Sequence, residues 1–172
     1  QKHGINILLF SLFKPKQEVS QQYLDCGITV VDANLQDKIK YLRRPNLSKL
    51  NYIKSFRLLK KTIATFQPDI LHAHYASSYG VLGYLSKFKP WILSVWGSDI
   101  YDFPVKSFRN KWLLNKVLNS ARTVCSTSQA MANEVSQHFD RSNLKVVPFG
   151  IDPDVFIPTK EKDQPFTVGT IK

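Results

Sequence analysis

The chain has 172 residues, 43% hydrophobic and 12% aromatic, enough to bury one substantial core. Its 24 Lys and Arg outnumber 13 Asp and Glu, and the net charge of +11 points to an anionic partner: membrane lipid, nucleic acid or a phosphorylated substrate. Nothing resembles a secretory leader or a membrane-spanning apolar run, and Cys26 and Cys125, both in apolar strand-like surroundings, read as reduced core thiols of a soluble cytosolic protein.

In chain order, residues 1–4 resemble the last turn of a helix closed by a glycine cap at Gly4. Strand candidates follow at residues 5–11, 28–31, 70–74, 91–95, 123–126 and 145–148. Residues 52–66 carry Ile53, Phe56, Leu59, Ile63 and Phe66 at helical spacing, and residues 107–119 carry Phe108, Trp112, Leu113 and Val117 likewise. A third helix, about 78–88, is the crossover between the strands at 70–74 and 91–95. Strands alternating with helices predict an α/β fold, a doubly wound, mostly parallel Rossmann-like sheet of about six strands flanked by helices. Residues 68–74 and 91–95 are expected near its centre, covered on both faces. A polar stretch over 159–165 then leads into a β-like run at 166–171 with nothing after it to pair with, so residues 157–165 read as a linker.

If the two central strands are parallel, the loops that follow them, residues 74–78 and 96–99, leave the same edge of the sheet, where open α/β sheets bind ligands. His74, Tyr75, Ser77 and Ser78 offer uncharged hydrogen-bonding groups suited to sugar hydroxyls, and either serine also suits a helix cap. His72 shares the strand face of His74 but lies deeper, where a packed, hydrogen-bonded histidine is expected. Gly97 permits a tight turn and close ligand approach, while Ser98 and Asp99 can face sugar hydroxyls or cap nearby amides. A zinc site on the histidine pair would need ligands that the neighbouring sequence does not supply. No Gly-X-Ser-X-Gly elbow of a serine hydrolase occurs.

The order of PDILHAHYASSYG, SVWGSD, ARTVCSTSQAM and VVPFGIDPDVF, then a polar linker and FTVGTIK, resembles the amino-terminal half of retaining GT-B glycosyltransferases of family 4. The resemblance implies a two-domain hexosyltransferase. Residues 1–157 would be the acceptor-side domain, lacking its first strand and most of its first helix. Residues 158–172 would be a linker and the first strand of a donor-binding domain. The implied donor is a nucleotide-diphosphate sugar, held mainly by that second domain, and the acceptor a glycan or lipid-linked glycan of bacterial surface polysaccharide synthesis. Front-face chemistry, in which the leaving phosphate helps take the acceptor proton, needs no dedicated base on this half and no metal or other cofactor. The acceptor-binding candidates are then His74, Tyr75, Ser77, Ser78, Trp96, Gly97, Ser98 and Asp99. Many relatives carry a histidine beside the reacting centre where Trp96 stands here, so the catalytic residues stay unassigned and Trp96 offers a stacking face instead. By itself the 172-residue chain is expected to transfer no sugar.

Between Lys38 and Lys61 lie nine basic residues and no acidic one: Lys38, Lys40, Arg43, Arg44, Lys49, Lys54, Arg57, Lys60 and Lys61. Tyr41, Leu42, Leu47, Leu50 and Tyr52 are interleaved with them, a pattern suited to peripheral contact with the anionic inner face of a cell membrane. No nucleic-acid motif accompanies the run, so nucleic acid is not the expected partner. The alternative function is a noncatalytic α/β binding or scaffold module with an anionic partner.

Overall fold

A computed structural model describes residues 4–35, 45–139, 141–151, 153 and 157. Strand β1 (Leu8–Ser11) is followed by helix α1 (Gln17–Asp25), strand β2 (Thr29–Asp32) and the long helix α2 (Pro45–Phe66). Strand β3 (Leu71–His74) runs through a π-helical turn, Tyr75–Tyr79, into α3 (Gly80–Ser86) and β4 (Trp91–Ser94). The short helix α4 (Ser98–Tyr101), a 3₁₀ turn (Pro104–Lys106), α5 (Phe108–Ser120), β5 (Thr123–Ser126), α6 (Gln129–Val135) and β6 (Leu144–Val146) complete the described chain. Every strand pair is parallel, as expected of a Rossmann-like α/β fold. The strands form two sheets, one of β1 and β2 and one in the order β3-β4-β5-β6, rather than the single six-stranded sheet expected.

Two cores hold these layers together. Ala73, Leu93 and Val124 are register partners on one sheet face and pack with Trp91, Leu114, Val117, Leu118, Met131 and Val135. Burying such a side chain contributes about 1.5–3 kcal/mol, so this cluster dominates the stability of the larger sheet. Gly83 of α3 lies against Trp91, whose ring occupies the space a methyl group would need, with Cζ3 3.0 Å from that position. The Trp91 indole N–H donates to the Ser120 carbonyl at 2.9 Å, so the buried ring is also polar-satisfied. In the second core, Leu12, Leu59 and Leu82 pack with Phe10, Tyr52, Phe56, Ile63 and Tyr79, joining the smaller sheet to α2 and α3. Serine caps begin the later helices: Ser107 accepts from the Asn110 N–H and Ser128 from the Met131 N–H, each at 3.2 Å.

Several expectations need correcting. Strand β3 is the outer strand of its sheet, not central, because β1 pairs only with β2 among the described strands. Its His72 and His74 are exposed, so the row His74-Ser94-Cys125-Lys145 forms a polar face opposite the apolar one. The segment is therefore an alternating, half-covered strand rather than a continuously apolar one. Cys26 ends α1 in an exposed position, and only Cys125 is half-buried. Ile53, Phe108 and Trp112 share helical spacing with core residues but are 49%, 82% and 55% exposed, since each lies at the margin of an apolar face. Helix α1 is rich in glutamine and buries no residue fully, its apolar positions being Val19, Tyr23 and Leu24. Gly4 has φ +67°, the left-handed conformation a helix cap requires, while residues 1–3 lie outside the described residues, as do 158–172.

Candidate functional site

Because β3 and β4 are parallel, with His74 opposite Ser94, the two loops after them open on one edge. Each begins with a sharp change of backbone direction. Tyr75 takes φ +74°, a left-handed conformation that costs a non-glycine residue on the order of 1–3 kcal/mol and persists only when its surroundings impose it. Gly97 takes φ +135°, which favours glycine, and no atom of another described residue lies within 4 Å of where a β-carbon would be.

Asp99 fastens the two loops together. Its Oδ1 accepts from the N–H groups of Trp96 at 3.1 Å and Gly97 at 2.8 Å, and its Oδ2 accepts from the Ala76 N–H at 2.7 Å. The Tyr75 hydroxyl and Ser98 Oγ meet at 2.5 Å, a second link between the same loops. Beneath them the Tyr52 hydroxyl donates to the Ser78 carbonyl at 2.6 Å, tying α2 to the π-helical turn. Burial holds the Tyr52 hydroxyl well above the usual tyrosine range, with Tyr79 adding to the effect, so it stays protonated and donating.

The histidine pair lies along β3. His72 Nε2 is 2.8 Å from Ser94 Oγ, and the two imidazole centroids are 4.2 Å apart. Partial burial lowers both pKa values, and the proximity of His74 lowers that of His72 further. Both rings are therefore neutral at pH 7 and offer one donor and one acceptor each. Cys125 stands next in the row; burial pushes its thiol up while a hydrogen bond with Ser94 opposes the shift, so it is not a reactive thiolate. Among the described residues no group of three or more His, Cys, Asp or Glu side chains could hold a metal ion.

The predicted site residues separate into two sets. His74, Trp96 and Ser98 are exposed at the edge, with Tyr75, Ser77, Ser78 and Gly97 half-buried around them. Asp99 is fully buried and spends both oxygens on amides, so of the two roles open to it the amide-capping one is formed. Neither serine of the first loop caps α3, because the π-helical turn intervenes and the residue before α3 is Tyr79. Of the basic residues, Lys54, Arg57, Lys60 and Lys61 share the exposed face of α2. Lys38, Lys40, Arg43 and Arg44 lie outside the described residues, as does the side chain of Lys49.

One residue at this edge was not singled out from sequence. Phe149, three residues beyond β6, brings its ring centroid to 5.3 Å from that of Trp96, edge to face at 73°. Trp96 in turn meets His74 at 5.8 Å and 86°. The available signal was an aromatic residue directly before Gly150 at the end of the last strand, where a core side chain has no further strand to rest on.

Residues 1–128 match the family described as glycosyl transferase 4-like. No curated protein matches the chain.

Proposed function

The chain belongs to the glycosyl transferase 4-like family, and from that premise we propose that it is the acceptor-binding domain of a retaining hexosyltransferase. The donor would be a nucleotide-diphosphate sugar and the acceptor a glycan or lipid-linked glycan of bacterial surface polysaccharide synthesis. The observation carrying the reading is the pair of loops locked by Asp99 at the carboxyl edge, where neutral hydrogen-bonding groups stand beside an exposed tryptophan. This half positions the acceptor hydroxyl, while proton removal falls to the leaving phosphate, consistent with a buried Asp99 whose two oxygens are both bonded to backbone amides.

Residues 1–157 would form the acceptor-side domain and residues 158–172 lead into a donor-binding one. The basic face of α2 supports peripheral attachment to the inner face of the cell membrane. Among the described residues no helix is long and apolar enough to cross a membrane.

The direct test is to incubate the intact gene product with nucleotide-diphosphate hexoses and lipid-linked glycan acceptors, then determine the product's anomeric configuration by NMR. Transfer with retention is expected. An inverted product, or failure to transfer from any donor, overturns the reading.

A further inference from the structure

We propose that Trp96 and Phe149 form a stacking platform for one pyranose ring of the acceptor glycan. The inference rests on the acceptor-domain reading and adds to it the element that recognises the sugar.

The two rings are 50% and 65% exposed, although burying aromatic rings of this size is strongly favourable. They are not isolated. Four rings run in sequence along the edge, His72 to His74 to Trp96 to Phe149, with centroid separations of 4.2, 5.8 and 5.3 Å. Each exposed ring is held edge to face by its neighbour, at 86° for Trp96 on His74 and 73° for Phe149 on Trp96. The glycines that follow them, Gly97 and Gly150, have no atom of another described residue within 4 Å of a β-carbon position, so among the described residues the backbone beside both rings is open.

The rim selects the ligand class. Next to the platform stand the imidazole of His74 and the linked hydroxyls of Tyr75 and Ser98, all uncharged hydrogen-bonding groups. Asp99, the carboxylate within this loop pair, is buried and bonded to amides. An apolar surface rimmed by neutral donors and acceptors matches a pyranose, which has a C–H face and a hydroxyl edge. A phosphate would call for cations and a prenyl chain for a continuous apolar groove.

The test uses the intact gene product and follows its indole fluorescence during titration with methyl pyranosides of glucose, galactose, mannose and N-acetylglucosamine, the Trp96 contribution being the part of the response that Trp96→Phe abolishes. At least one glycoside should change the Trp96 emission saturably. Phe149→Ala should weaken that binding roughly tenfold or more, the scale of losing one stacking surface. In transfer assays, Trp96→Ala and Phe149→Ala should raise the acceptor KM by a similar factor with kcat changed far less, and Trp96→Phe should restore most of the loss. Thermal unfolding should stay near that of the parent, since both side chains are exposed. No response to any glycoside, a response only to a short prenyl phosphate, or concentration-dependent dimerisation that buries the Trp96 emission would each overturn the platform. Transfer with an unchanged acceptor KM in both alanine variants would overturn it while leaving the glycosyltransferase reading intact. Saturable glycoside binding without transfer from any donor would support the platform and sink the catalytic reading.

Discussion

Asp99 and Ala76, 23 positions apart in the chain, are joined by a 2.7 Å hydrogen bond from the Ala76 N–H to the buried carboxylate. The other oxygen holds the N–H groups of Trp96 and Gly97, so one side chain sets the distance between both loops at this edge of the sheet. Truncating it leaves three amide donors without their acceptor, each costing about 1–3 kcal/mol where water cannot replace it. Asp99→Ala should therefore destabilise the fold by roughly 3–5 kcal/mol in urea titrations, a loss in the range reserved for broken buried networks. Asp99→Asn, which keeps one acceptor oxygen, should lose less. If Asp99→Ala unfolds within about 1 kcal/mol of the parent, the carboxylate is not the fastener described.

The parallel α/β architecture was legible because strand and helix periods alternate along the whole chain, and the two loops followed from parallel pairing of their strands. Burial was less legible. Leu71, His72, Ala73 and His74 were read as one buried run, yet the two histidines alternate with the apolar residues and line the uncovered face. The role of Asp99 stayed open because capping and ligand contact demand the same residue in the same kind of loop; only the positions of the Ala76, Trp96 and Gly97 amides separate them. Phe149 escaped notice because its partner Trp96 is 53 positions away and no local period links them.

The histidines give stability a defined dependence on pH. His72, His74 and His138 all have pKa values below the ordinary 6.5, chiefly because burial disfavours the imidazolium. The unfolded chain then binds more protons than the folded one, so stability rises with pH through this window and falls as pH drops below about 6.5. Lys111 and Glu134 act on His138 in opposite directions, leaving burial as its main cause. Urea midpoints measured between pH 7.5 and pH 5 should fall with acidification in the parent, and less in a His72→Gln/His74→Gln variant. An identical slope in the two would assign the effect to other groups.

Gly83 should not tolerate a side chain. A β-carbon there would meet the Trp91 ring at 3.0 and 3.1 Å, and that indole is fully buried and tethered to Ser120. Replacing a helical glycine by alanine normally gains about 0.5–1 kcal/mol, a benefit the clash should cancel. Gly83→Val adds two further carbons against the ring and should cost about 2 kcal/mol or more. In a Trp91→Leu background the same substitution should be markedly less harmful, and purely additive losses in that double-mutant cycle would contradict direct contact.

Attachment to an anionic membrane is the remaining proposal, and the exposed basic face of α2 is where it can be tested. Lys54, Arg57, Lys60 and Lys61 all lie on the exposed face together with Ile53, while Phe56 packs inward beneath the Lys60 ammonium, 5.9 Å from its ring centroid. A lysine or arginine near an anionic surface contributes about 1 kcal/mol, so replacing all four by glutamine should weaken binding to phosphatidylglycerol vesicles by roughly a hundredfold or more at low salt. Raising the salt should weaken the parent's binding toward that of the variant, because screening shortens the reach of exposed charges to about 10 Å at 0.1 M. Thermal stability should change little, since none of the four side chains is buried. Co-sedimentation with vesicles, run beside a mixed oligonucleotide control, measures both. Equal binding of parent and variant to vesicles would remove this helix face from the attachment site, and preferential binding to the oligonucleotides would replace the membrane with nucleic acid as the partner.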